Sequence, residues 1–165
     1  MVRNLLLAIT LTIALLVSGC ASLPDMGATT ASDRYGILKK AELSNNWQMY
    51  QIKIDLAAGE ELDILLRLTS GDKVDGYFFL QSGETVAFEI AGSSVFYQSA
   101  TTDQKGNIKS DRFSFIASQA QGTTYTLTFK NEEGKDSKSA KVSAFCEVIL
   151  PSSGSIYIPI EPKSK

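Results

Sequence analysis

The side chains here that could do chemistry are two cysteines, a short run of carboxylates and a few aromatics at strand starts. Cys20 stands directly after Ser18-Gly19, small residues of the kind a signal peptidase needs beside the bond it cuts. Cys146 lies far from it, in Val142-Ser143-Ala144-Phe145-Cys146-Glu147-Val148. Glu61 and Asp63, next to Glu60, share one strand face about 6.8 Å apart at roughly 3.4 Å per residue. That separation suits a carboxylate pair, but the solvated face of an amphipathic strand has the same look, and we expect the latter. Asp103, Gly106 and Asn107 sit as in a cation loop, yet Lys105 stands where an oxygen ligand is needed, so a turn is expected and no metal site. Histidine is absent, which excludes Ser-His-Asp and Cys-His nucleophiles and His-ligated zinc, copper or iron. No catalytic residue is expected and the chain does not read as an enzyme. For binding, the candidates are Trp47, the single tryptophan, and the adjacent Phe96 and Tyr97, which must point to opposite faces of their strand.

The element that positions Cys20 is the leader. Met1 to Asn4 carries one charge, Arg3, and Leu5 to Val17 is apolar apart from Thr10 and Thr12. As a helix this run would extend roughly 20 Å, short for a hydrocarbon core of about 30 Å and right for the h-region of a signal peptide. Val17-Ser18-Gly19-Cys20 resembles the lipobox of bacterial lipoproteins. The resemblance implies that residues 1–19 are removed and that Cys20 becomes the first residue, carrying a diacylglyceryl group and often an N-acyl chain. No other cofactor is expected. Each buried CH₂ adds about 0.8 kcal/mol, so two or three chains anchor where one would not. The expected place is the extracytoplasmic face of a bacterial membrane. Ala21 after the cysteine resembles the pattern sorted to an outer membrane where the host has one.

Residues 20–33 are small and polar without periodicity and read as a flexible tether, about 20 Å in r.m.s. span as a coil. Residues 34–165 then carry the folded domain. Its first segment is ambiguous: Tyr35, Ile37 and Leu38 could begin an edge strand, whereas Leu38 to Leu43 could form a helical turn. From Trp47 onward period-two alternation recurs between turns. Tyr50, Ile52, Ile54 and Leu56 oppose Gln51, Lys53 and Asp55, and Leu62, Ile64, Leu66 and Leu68 oppose Glu61, Asp63 and Arg67, with Leu65 out of pattern. Tyr77-Phe78-Phe79 is too apolar on both faces for a solvated edge. Tyr125, Leu127 and Phe129 alternate with threonines. About eight strands and no convincing long helix predict an all-β fold, a single antiparallel sandwich of jelly-roll or related type.

Charge excludes one class of partner. Sixteen basic and eighteen acidic side chains are present, and Arg3 belongs to the leader, so the remainder carries a net −3. With no basic stripe, nucleic acid is not expected as a partner. With Cys20 used, Cys146 has no partner in the chain. It falls on the apolar parity of its strand with Val142, Ala144 and Val148, where a free thiol behaves as a small buried hydrophobe; a disulfide-linked dimer or a reactive thiol is the alternative.

Arg112-Phe113-Ser114-Phe115-Ile116-Ala117, Gly122-Thr123-Thr124-Tyr125-Thr126-Leu127-Thr128-Phe129-Lys130-Asn131 and the strand to Val148 look like the GOLD domain, the lumenal β-sandwich of cargo receptors. Ala58-Gly59-Glu60-Glu61-Leu62 and Tyr77-Phe78-Phe79-Leu80 fall where that family keeps its first half, so the resemblance spans 48–148. These are packing motifs. The chain departs from the cargo receptors in lacking their coiled coil and the partner cysteine for Cys146. The resemblance implies a sandwich that recognises or assembles with proteins and carries no catalytic residue. The reading that follows is a membrane-anchored recognition or adaptor module, whose partner is another envelope or secreted protein. The alternative is a structural envelope protein that self-associates through Cys146 or the apolar tail Ile156 to Ile160. Cys20→Ala is expected to abolish labelling by a lipid precursor and to release the protein from membranes while the domain stays folded; continued lipid labelling would overturn the lipobox reading.

Overall fold

The computed structural model describes residues 34–43, 46–83, 85–102, 110–131 and 141–164. The leader, Cys20, the tether and the loop around Lys105 lie outside them. Among the described residues eleven strands occur: β1 (Tyr35–Leu43), β2 (Trp47–Leu56), β3 (Glu60–Arg67), β4 (Lys73–Ser82), β5 (Thr85–Ala91), β6 (Val95–Thr102), β7 (Ser110–Ile116), β8 (Thr124–Lys130), β9 (Val142–Pro151), β10 (Ser155–Tyr157) and β11 (Lys163–Ser164). One 3₁₀ turn, Gln119–Gln121, interrupts them. The order β1-β2-β9-β4-β7 makes a first sheet and β10-β3-β8-β5-β6 a second, with β11 also on β3. Every pairing is antiparallel. The pairs nest, β5 with β6 inside β4 with β7, inside β3 with β8, inside β2 with β9, and alternate between sheets. That is the connectivity of an eight-stranded jelly roll, to which β1, β10 and β11 are additions. The chain is a single β-sandwich, as the alternation predicts.

The apolar parity of each strand meets its counterpart between the sheets. Ile52, Ile54 and Leu56 of β2, Leu62, Ile64 and Leu66 of β3, and Leu127 and Phe129 of β8 are fully buried. Phe78 of the first sheet meets Phe88 and Phe129 of the second at ring-centroid distances of 4.9 and 5.2 Å. Phe88 also meets Phe113 at 5.1 Å and Phe129 at 4.8 Å, so one ring joins both layers. Gly76 faces this cluster, and a Cβ there would run into the Phe113 ring and the Glu147 carbonyl. Cys146 sits between Ile52 and Phe78 in register and is fully buried. Burial pushes its thiol far above the ordinary range, so it is held as an unreactive hydrophobe out of reach of a second molecule.

The ambiguous first segment is strand throughout. Tyr35 pairs with Ile54 and Leu43 with Trp47, with an irregularity between Ile37 and Lys39. Ladder bonds along β2 outweigh the weak helical preference of Leu38 to Leu43, which alone could not repay helix nucleation. The apolar tail covers an edge of its own domain. β10 and β11 pair with β3, Ile158 is buried, and Tyr35 Oη donates to the Ile160 carbonyl. Gln48, which shares the core parity of β2, is buried and satisfied. Its Nε2 donates to the carbonyls of Pro151 and Gly154 at 3.0 and 2.6 Å, and its Oε1 accepts from Tyr50 Oη at 3.0 Å. Those bonds fasten the crossover by which the chain leaves the first sheet for β10.

Phe88→Ala should lower unfolding free energy by about 3–5 kcal/mol, since the ring leaves a cavity between the layers. Urea unfolding of variant and parent measures the difference; a loss under 1 kcal/mol would remove Phe88 from the centre of the core.

Candidate functional site

Period-two alternation that sends one set of residues inward must send the other set out. On the first sheet the outward set is unusually apolar. Met49 lies opposite Ile149, Trp47 opposite Pro151, and Phe145 opposite Phe79. Tyr77 completes the group: its ring lies 6.3 Å from Phe145 and 6.4 Å from Phe79, and Phe79 lies 5.3 Å from Phe145. All these side chains are half-buried, with one side of the cluster toward solvent. Three strand spacings of about 4.8 Å and six residue steps of about 3.4 Å give a face of roughly 300 Å². Aromatic residues and methionine are the types enriched where one protein surface meets another, which makes this face the candidate site.

Polar groups border and cross it. Gln51 Nε2 donates to Glu147 Oε2 at 3.1 Å, and Lys73 bonds Asp75 at 2.8 Å, which holds the Asp75 carboxyl below its usual range. Arg112 is directly opposite Tyr77 and is exposed; among the described residues its guanidinium makes no hydrogen bond or ion pair. Between Tyr77, Arg112, Ser114, Asp75, Glu147 and Ile149 lies a depression of about 470 Å³. Burial, and next the charge of Glu147, raise the Tyr77 phenol above its ordinary value, so it remains a neutral donor. At the far end of the face Asp55 is buried. It accepts from Ser143 Oγ at 2.6 Å and faces Lys53 and Lys141 at 3.1 and 3.4 Å. Burial alone would raise its pKa; these partners outweigh that and lower it.

Of the residues singled out by sequence, Trp47 belongs to this face. Phe96 and Tyr97 do not. Phe96, 41% exposed, packs on Phe115 and Tyr125 at 5.4 and 6.1 Å, on the same inward side as Tyr97 and not the opposite one, because the register shifts at this point of the β5–β6 pair. Tyr97 turns inward onto Phe88 at 5.9 Å, and its hydroxyl donates to Asp111 Oδ2 at 2.6 Å. Glu60, Glu61 and Asp63 are engaged elsewhere. Glu60 pairs with Arg34, while Lys163 bonds Asp63 at 2.5 Å and lies 3.8 Å from Glu61. Thr128 Oγ1 donates to Asp63 as well, at 2.7 Å. Among the described residues no group of three His, Cys, Asp or Glu side chains is placed to hold a metal ion. Sequence reasoning missed Tyr77, Phe79, Phe145 and Arg112 as site residues. A signal existed in the apolarity of Tyr77-Phe78-Phe79 on both strand faces.

The chain matches no family model and no curated protein. Among solved structures it is similar to a chain described as "CBM4 structure and function", with a TM-score of 0.36 and 6% identity over 76% of this chain and 78% of that one. A likeness this slight carries no argument about function.

Because Asp55 titrates below the usual carboxylate value when folded, its stabilisation is complete above about pH 4 and is lost as pH falls from there through the folded pKa. Asp55→Asn is expected to cost about 1–3 kcal/mol at pH 7 and less at pH 2–3. Urea midpoints at the two pH values check this; an equal cost at both would remove the carboxylate charge from the account.

Proposed function

We propose that this chain is a lipid-anchored extracytoplasmic recognition module that docks a protein partner on the outer face of its first sheet. The observation that carries the reading is the gathering of Trp47, Met49, Tyr77, Phe79, Arg112 and Phe145 on one sheet face. Tryptophan, tyrosine and arginine are the types that dominate binding hot spots, and aromatic residues and methionine are enriched at interfaces. A twisted sheet holds such rings in place at little entropic cost, which favours binding over an equally apolar loop. The Val17-Ser18-Gly19-Cys20 motif supports the anchor, and a tether of a dozen residues would leave either face of the sandwich free to meet a partner.

Self-association is the competing use of the same face. The two sequence features that could serve it otherwise are engaged within the chain: Cys146 is buried and the tail lies along β3.

Tyr77→Ser with Phe79→Ser should weaken partner binding by about 2 kcal/mol or more, roughly thirtyfold, with no loss of fold because both side chains point outward. The measurement is recovery of crosslinked partners from cells bearing either form, together with the mass of the solubilised protein at micromolar concentration. One reproducible heterologous partner, lost in the double variant, supports the reading. Recovery that the variant leaves unchanged, or only the protein's own dimer, would overturn it.

A further inference from the structure

The outer face of the second sheet carries charged depressions of a different kind. One, of about 330 Å³, is lined by Glu61, Asp63 and Glu89 with Lys130 and Lys163, and one of about 180 Å³ by Glu61, Asp63, Glu161 and Lys163. In both, acids and lysines lie together. A third depression, of about 510 Å³, is lined by Leu65, Arg67, Thr124, Ser155 and Tyr157 and contains no carboxylate.

Its residues stand in two rows across three strands. Ser155 of β10 is opposite Arg67 of β3, and Arg67 is opposite Thr124 of β8. A hydroxyl therefore flanks the arginine on each side at about one strand spacing, about 4.8 Å. In the next row Tyr157 lies opposite Leu65, the residue that breaks the alternation of β3 by placing an apolar side chain outward. Tyr157 is 51% exposed. Among the described residues the Arg67 guanidinium and the side-chain hydroxyls of Thr124, Ser155 and Tyr157 make no hydrogen bond or ion pair. The nearest acid along the strand, Asp63, is four residues away, about 14 Å, and is already held by Lys163 and Thr128.

We propose that this depression binds a small oxyanion, a carboxylate or phosphate carried on a flat apolar body. The Arg67 fork takes two oxygens of the anion, Thr124 and Ser155 donate from either side, and the body lies over Leu65 and Tyr157. Sorting of charge selects this depression over its neighbours, where the carboxylates would repel an anion and Lys163 is already paired with Glu61 and Asp63. The volume suits a small ligand, since such sites run from about 300 to 1,000 Å³. The site lies on the opposite sheet from the aromatic face and does not depend on the function assigned to that face.

The test is a titration of the full chain, in a detergent with an uncharged headgroup, with phenyl phosphate, benzoate and benzyl alcohol. Binding is read from the NMR signals of the Arg67 side-chain Nε–H and the backbone amides of residues 65, 67, 124 and 155. Saturable shifts at these positions with either aryl anion, and none with the neutral alcohol, are expected. Arg67→Gln should weaken binding at least tenfold and Arg67→Lys by less, since a point charge remains without the fork, while urea midpoints stay unchanged. Binding that persists undiminished in Arg67→Gln, shifts centred elsewhere, or equal binding of benzyl alcohol would overturn the proposal.

Discussion

Phe88 touches Phe78 and Phe113 from the first sheet and Phe129 beside it on the second. This contact between layers sets the rest of the structure, because it fixes which side of each strand faces in. A one-residue slip in any of these strands would turn its core set to water and bring its charged set inside. With the inward parity fixed by the rings, the outward parity follows without further choice. The composition of the two outer faces is thus a consequence of core packing.

Those faces differ because the sheets use their outward positions differently. On the first sheet the outward residues of β2, β4 and β9 include Met49, Tyr77, Phe79, Phe145 and Ile149, which lie outside the core between the layers. On the second sheet the corresponding positions of β3 and β8 are mostly threonine and charge, neutralised by Lys163 from the tail. Leu65 and Arg67 depart from that pattern at the β10 end. The rings of Tyr77, Phe79 and Phe145 are half-buried against one another, so each keeps only part of its apolar surface toward water.

The additions to the eight-stranded frame protect its edges. β1 extends the first sheet beside β2, and the tail covers β3 on the second. Tyr35 of β1 donates to Ile160 of the tail, so the two additions are joined across the layers. An uncovered β3 would present free backbone donors and acceptors to another chain. Held this way, the tail closes an edge that could otherwise pair with a second molecule.

Alternation and turn residues were enough to read a sandwich, most of its strands and the burial of Cys146, because these depend on local periodicity and composition. The reading of residues 1–20 rests on a linear pattern too, and lies outside the described residues. The first segment of the domain was not legible, since its nine residues are strand only through pairing with β2. Nor was the aromatic face. Phe145 and Phe79 are 66 positions apart, and only the placing of β9 beside β4 brings their rings to 5.3 Å. Arg67, Thr124 and Ser155 meet only because β3 runs between β8 and β10. The sequence by itself determined which residues of each strand share a side. Which sides lie together, and so which faces can bind, was decided by strand order, a long-range property of the packed chain that no local pattern encodes.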